Sequence, residues 1–268
     1  MFFIAVIAVI YAVYFGYYHV NGFRAAKYPI HGVDVSHYQG DIDWNMLADQ
    51  DIQFAYIKAT EGSSHVDEYF TKNYGEARDA GLKVGAYHFF SFDSPGIAQA
   101  ENFIDTVEKF DGMLPPVVDV EFYGNKEENP PSSEEVYSQL RVYLDAVEDA
   151  YGMQPIIYAT NESWELYIQE QFDDYPLWIR DIWNTPQNSV DWTLWQYTNR
   201  GRLKGFSGDE PYVDLNVFAG TVEEWENNVI FRRKMISVSE NDVHTAIRQR
   251  NNEKSIFISL TTAGGGKR

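Results

Sequence analysis

The sequence predicts an α/β fold: a modified (β/α) barrel of eight strands with an incomplete set of outer helices, forming a single domain. Three observations lead there. Eight short apolar, β-branched runs alternate with helical stretches between residues 30 and 218. The chain of 268 residues fits one barrel, which takes about 200–250 residues, plus attachments at both ends. Carboxylates recur at or near the ends of the apolar runs, where a barrel gathers its functional groups.

In chain order, residues 2–18 are apolar, and no charge precedes Arg24. Residues 1–22 are therefore expected to form a membrane anchor or a signal segment. No basic residue precedes the apolar run, as a cleaved signal would require, so an uncleaved anchor through residues 2–18 is favoured. Arg24 and Lys27 follow the span, and the positive-inside tendency would then hold the domain in the cytoplasm, which leaves the orientation open. Residues 23–29 read as a linker and 30–229 as the domain. Strands are expected at 32–35, 54–59, 83–90, 116–121, 155–159, 177–180, 194–197 and 213–217. The clearest helix is 133–151, where Val136, Leu140, Tyr143, Leu144, Val147 and Tyr151 recur at helical spacing behind a Ser132/Glu135 capping pattern. Helices are also expected at 66–80, closed by Gly81, and at 95–110, opened by Pro95. Helical periodicity fades after Leu177. Residues 230–268 carry eight Lys or Arg against three Asp or Glu and read as a basic, flexible or weakly helical tail.

The chemistry concentrates in Pro115-Pro116-Val117-Val118-Asp119-Val120-Glu121. Strand side chains alternate between faces, so Asp119 and Glu121 project together while Val118 and Val120 point into the packing. Neighbouring carboxylates disfavour ionising together, and one keeps its proton near neutral pH. A neutral acid beside an ionised one is what cleavage of a glycosidic bond requires. Asp34 ends the first strand and Asp214 lies on the last, which adjoins the first in a closed barrel, so four carboxylates are expected around one mouth.

Composition narrows the partners. A net charge of −19 argues against a nucleic-acid backbone. The absence of cysteine excludes disulfides and thiolate metal sites. Aromatic residues reach 16%, rich enough to line a sugar cleft as well as a core.

Six short stretches, in order, resemble glycoside hydrolase family 25, the lysozyme-type muramidases. They are Gly32-Val33-Asp34-Val35-Ser36 with Gln39-Gly40, the run from Phe54 to Gly62 containing Lys58-Ala59-Thr60-Glu61, Gly85-Ala86-Tyr87-His88-Phe89, Asp119-Val120-Glu121, Trp195-Gln196-Tyr197, and Val213-Asp214-Leu215-Asn216. The resemblance covers about 31–225. It implies a modified barrel with a single catalytic domain, no cofactor and no metal. It also implies hydrolysis of the β-1,4 bond between N-acetylmuramic acid and N-acetylglucosamine, with peptidoglycan glycan strands as partner and a place in the cell envelope, anchored or secreted. By position, Glu121 resembles the general acid and Asp119 its neighbour facing the reacting sugar, with Asp34 and Asp214 giving electrostatic support. Retention is implied, by substrate-assisted or direct attack.

Tyr56, Tyr87, Tyr158, Trp178 and Trp195 are candidate sugar-stacking rings, and His37, His88 and Gln196 candidate hydrogen-bonding contacts; core packing explains several of them as well. After Trp178-Ile179 the chain carries Arg180-Asp181-Ile182-Trp183, where the family commonly has a small residue and then an aromatic. Two rival classes stand beside this one. One is a metal-dependent hydrolase using His31, Asp34, His37, His88 and Asp214; the other is a non-catalytic wall-binding protein.

Overall fold

The computed structural model describes residues 2–14, 20–187, 189–208 and 210–227. They fall within one compact unit, Met1–Phe231; the second unit, Arg232–Arg268, and the expected basic tail lie outside the described residues. Nine strands form one sheet: β1 (His31–Val35), β2 (Phe54–Glu61), β3 (His65–Val66), β4 (Lys83–Phe89), β5 (Val117–Val120), β6 (Ile156–Thr160), β7 (Leu177–Arg180), β8 (Leu194–Gly201) and β9 (Val213–Phe218). Their order is β1-β9-β8-β7-β6-β5-β4-β2-β3, and β1 also pairs with β2, so eight strands close into a barrel and β3 hangs outside as a short flap on β2.

Each of the eight expected strands is present within two residues of its expected start, the end of β8 extending further. Their direction carries one correction to the expectation of a mostly parallel barrel with one common end. Strands β1, β2 and β4–β8 run parallel, but β9 is antiparallel to both neighbours. The segment between β8 and β9 holds no helix, and a parallel return would need a crossover of a dozen or more residues. Asp214 still reaches the common mouth because it sits at the beginning of β9 rather than at its end.

Two apolar layers hold the barrel. Inside, Phe54, Tyr56, Val117, Ile156, Trp178, Leu194 and Phe218 fill the axis. Gly32 and Gly85 make this possible, since a Cβ at either would collide with the ring of Phe54 or Tyr56. Outside, Val33, Ile57, Val118, Ile157, Ile179, Trp195 and Val217 face the helices. The helix α6 (Ser133–Tyr151) buries all six of its periodic residues, starts with Glu135 N–H donating to Ser132 Oγ, and ends at Gly152 in the left-handed conformation. The helix expected at 66–80 is shorter, α4 (Phe70–Asp79), because His65 and Val66 are taken into β3; α5 (Gly96–Thr106) starts one residue after Pro95. Among the described residues, apart from a three-residue α-turn, a single π turn and the short Val222–Glu226, no helix follows α6, as the fading periodicity implies.

At the amino end, α1 (Phe2–Tyr14) is apolar, with Phe3, Ile4, Ile7 and Ile10 exposed. Thirteen residues rise about 20 Å, short of a ~30 Å hydrocarbon core. No helix among the described residues is long and apolar enough to cross a membrane, which corrects the expected transmembrane helix as far as α1 goes; 15–18 of the expected span lie outside the described residues. The boundary expected at 22/23 falls inside a second helix, α2 (Val20–Ala25). Its buried Asn21 places Nδ2 3.1–3.3 Å from the carbonyls of Asp181, Asn184 and Tyr197, so the expected linker begins as a docked helix.

Candidate active site

Strand alternation decides what enters the barrel. On β5, Val117 and Asp119 point inward with Glu121 just past the strand end, and Val118 and Val120 pack outward. The same period brings in Asp34 from β1, Lys58 from β2, Tyr87 and Phe89 from β4, Tyr158 from β6, Trp178 and Arg180 from β7, Gln196 from β8 and Asp214 from β9. With Tyr38, Asn199, Glu210 and Tyr212 at its edge, this set lines an open cavity of about 420 Å³ over the ends of the parallel strands. All four expected acids share it.

Two fixed amides orient Asp34. The Trp178 indole is a donor only, and its Nε1 donates to Asn216 Oδ1 at 2.9 Å, so the Asn216 amide must turn Nδ2 toward Asp34 Oδ2, 2.7 Å away. The Tyr158 hydroxyl likewise donates to Gln196 Oε1 at 3.1 Å and leaves Gln196 Nε2 to donate to Asp34 Oδ2 at 3.0 Å. Asp34 faces Asp214 across the β1–β9 register. Burial raises the pKa of Asp34, and the Asn216 and Gln196 donors pull it back. Burial and then the Asp34 charge drive Asp214 well above the usual carboxylate range. Of the two, Asp214 is pushed further toward its neutral form, facing an Asp34 whose ionised form the two amides favour.

The second pair is held differently. Burial raises both Asp119 and Glu121; the charges of Glu121 and then Asp34 push Asp119 up further, while Arg180 and Lys58 favour ionised Glu121. Asp119 is thus pushed further toward its neutral form than Glu121. Asp119 Oδ1 is buried and lacks a hydrogen-bond partner among the described residues. Lys58 is tied to Glu61 at 2.7 Å and lies over the Phe89 ring.

Of the expected sugar contacts, Tyr87, Tyr158, Trp178 and Gln196 line the cavity. The other four sit elsewhere. Tyr56 lies deeper in the axis, its hydroxyl donating to the Pro115 carbonyl at 3.2 Å. His88 and Trp195 belong to the outward phase of their strands. His88 stacks on Tyr143 with centroids 4.9 Å apart, and Trp195 Nε1 donates to the Asp181 carbonyl at 2.9 Å. Because the Ser91 N–H and His88 Nε2 both meet Gln99 Oε1, His88 carries its proton on Nε2 and accepts from Thr60 Oγ1 on Nδ1. His37 stands beside the cavity edge with Nδ1 2.9 Å from Asp67 Oδ2. The ligand set of the metal alternative is dispersed: among the described residues no group of three His, Cys, Asp or Glu is arranged to hold a metal. The sequence alone assigns Asn216 no role and brings in Arg180 only as half of a charged pair with Asp181 that alters a substrate subsite, though counting by two from Asp214 and from Trp178 reaches both.

The family model described as "Glycosyl hydrolases family 25" matches residues 33–206. A solved family 25 glycosyl hydrolase from Bacillus anthracis is 53% identical, superposes with a TM-score of 0.72, and covers 75% of this chain and 94% of its own. Among curated relatives, the protein YegX of Escherichia coli K12 is 38% identical over 79% of this chain and 78% of its own length. Lysozyme M1 of Streptomyces globisporus is 34% identical over 72% and 68% respectively. Closed barrel, inward acid pairs and these likenesses agree: the chain belongs to glycosyl hydrolases family 25 and is a glycoside hydrolase.

Proposed function

We propose that the protein is a peptidoglycan hydrolase, an N-acetylmuramidase that cuts the β-1,4 bond from N-acetylmuramic acid to N-acetylglucosamine with retention. The observation that carries this is the Asp119–Glu121 pair at an open cavity, a buried carboxyl on β5 and a second just past its end, both raised by burial, with Asp119 Oδ1 lacking a hydrogen-bond partner among the described residues. A sugar bound there brings positive charge to its anomeric centre as the bond breaks, which favours ionised Asp119 and leaves the proton to Glu121. Glu121 then acts as general acid and protonates the leaving oxygen. Asp119 faces the reacting centre, either orienting the sugar's own acetamido group for attack or stabilising the charge that develops. Asp34, whose ionised form the Asn216 and Gln196 amides favour, and Asp214 add electrostatic support. Tyr87, Tyr158 and Trp178 offer the ring surface for the glycan.

This substrate places the enzyme outside the cytoplasm, at the cell envelope, with the apolar segment 2–18 as its attachment; release of the chain from membranes by alkaline carbonate would refute that attachment. The catalytic reading is tested by digesting purified peptidoglycan and identifying the new reducing ends. Muramic acid at those ends is expected. Glucosamine there, or free stem peptides alone, would overturn it.

A further inference from the structure

Arg180 is a cation in the cavity with no partner of its own. It ends β7, in phase with Trp178, and is part of the cavity lining. Three lysines among the described residues are paired with acids: Lys58 with Glu61 beside the cavity, and Lys72 with Asp41 and Lys126 with Asp93 on the surface. Among the described residues the Arg180 guanidinium has neither an ion pair nor a hydrogen bond, although it feels Glu121, Asp214 and Asp34 through space. The acid next to it in sequence is committed elsewhere. Asp181 Oδ1 accepts the N–H groups of Trp183 and Asn184, and Oδ2 accepts Asn161 Nδ2. The Asp34 oxygens are occupied by Asn216 and Gln196. Five N–H donors in a planar fork are thus left facing the cavity, matched in shape to a carboxylate.

The proposed substrate supplies that group. The two sugars of the alternating glycan differ by one ether, the 3-O-lactyl arm of muramic acid, so an enzyme that cuts on the muramic side alone must read that arm. The rest of the lining holds five acids, Asp34, Asp119, Glu121, Glu210 and Asp214, against one other cation, Lys58, which is tied to Glu61; among the described lining residues an anion therefore finds its free cation at Arg180. We propose that Arg180 is a specificity residue that binds a carboxylate carried on the lactyl arm of the substrate, resting on the muramidase function proposed above. The carboxylate belongs either to the lactyl group itself, in strands stripped of peptide, or to the stem peptide that extends from it.

The test compares kcat/KM on three soluble glycans: peptide-free strands, the same strands with the lactyl carboxyl methyl-esterified, and strands bearing stem peptides. Where the lactyl carboxylate is the ligand, wild type should prefer the free acid to the ester by about 10-fold or more, the size of a charge-assisted bidentate contact. R180Q should bring that ratio near one, and R180K, a point charge without the fork, should fall between. A loss in R180Q confined to peptide-free strands assigns the lactyl carboxylate, and a loss on peptide-bearing strands assigns a stem carboxylate. Should R180Q fail to show a cooperative melt, the ratio is read from R180K and R180M. An R180Q enzyme that keeps the wild-type kcat/KM on both the peptide-free and the peptide-bearing strands overturns the assignment while leaving the muramidase function standing. Failure of wild type to cut any of the three strands overturns that function itself.

Discussion

Exchanging Asn216 for Asp isolates what the amide does for Asp34. The new side chain has the same shape and keeps an oxygen for the Trp178 indole, but replaces the Nδ2 donor, 2.7 Å from Asp34 Oδ2, with a second acceptor. A hydrogen bond to a charged group contributes about 1.5–3 kcal/mol, and two facing oxygens add repulsion. N216D should therefore lower kcat/KM at neutral pH by roughly 10- to 100-fold and destabilise the fold by a similar free energy. The sign with pH is specific. Once protonated, the new carboxyl donates again, so the deficit should shrink as pH falls toward about 4–5. Parallel pH profiles of wild type and N216D on peptidoglycan fragments, with urea denaturation at each pH, measure both effects. An N216D enzyme as active and as stable as wild type at pH 7, or one whose deficit does not change with pH, would refute the orientation of Asp34 by fixed amides.

Three further outcomes are expected. Removing the proton donor with E121Q should cut turnover at least ~10²-fold with the melting temperature within a few degrees of wild type, as calorimetry would show. Burial raises the pKa of Asp119, so the native state binds more protons than the unfolded chain from about pH 4 upward and stability falls as pH rises through that range; D119N should flatten this fall and melt higher than wild type at pH 8, by at least ~2–4 °C, and an unchanged slope would show the carboxyl to be solvated. Burial lowers His88 to about 4 from 6.5, so the unfolded chain takes up a proton first and stability is lost as pH falls between those values, by about 3 kcal/mol. H88Q should remove that loss, seen as urea midpoints that no longer drop between pH 7 and 4.5.

The architecture was legible because its signals are local. Alternating runs such as Val117 to Glu121, and the six periodic residues of 133–151, declare strand and helix without reference to the rest of the chain. The four acids were legible for the same reason, each being marked by its place in a strand. Which face of a strand looks inward was harder. His88 and Trp195 are one residue out of phase with the cavity, and only pairing with neighbouring strands sets that phase. The antiparallel β9 was hidden because direction depends on the connection from β8, which carries no periodicity. Arg180 and Asn216 lay in plain sequence yet acquire meaning only from what surrounds them, an unpaired guanidinium in one case and an indole-fixed amide in the other.

Acid catalysis at this site requires Asp119 and Glu121 to share one proton. Carboxyl carbon-13 NMR of labelled protein, with resonances assigned through D119N and E121Q, follows that proton directly. One carboxyl of the pair should remain protonated above about pH 6, with D119N moving the Glu121 titration to lower pH. Two independent titrations, both complete by about pH 5, would contradict it.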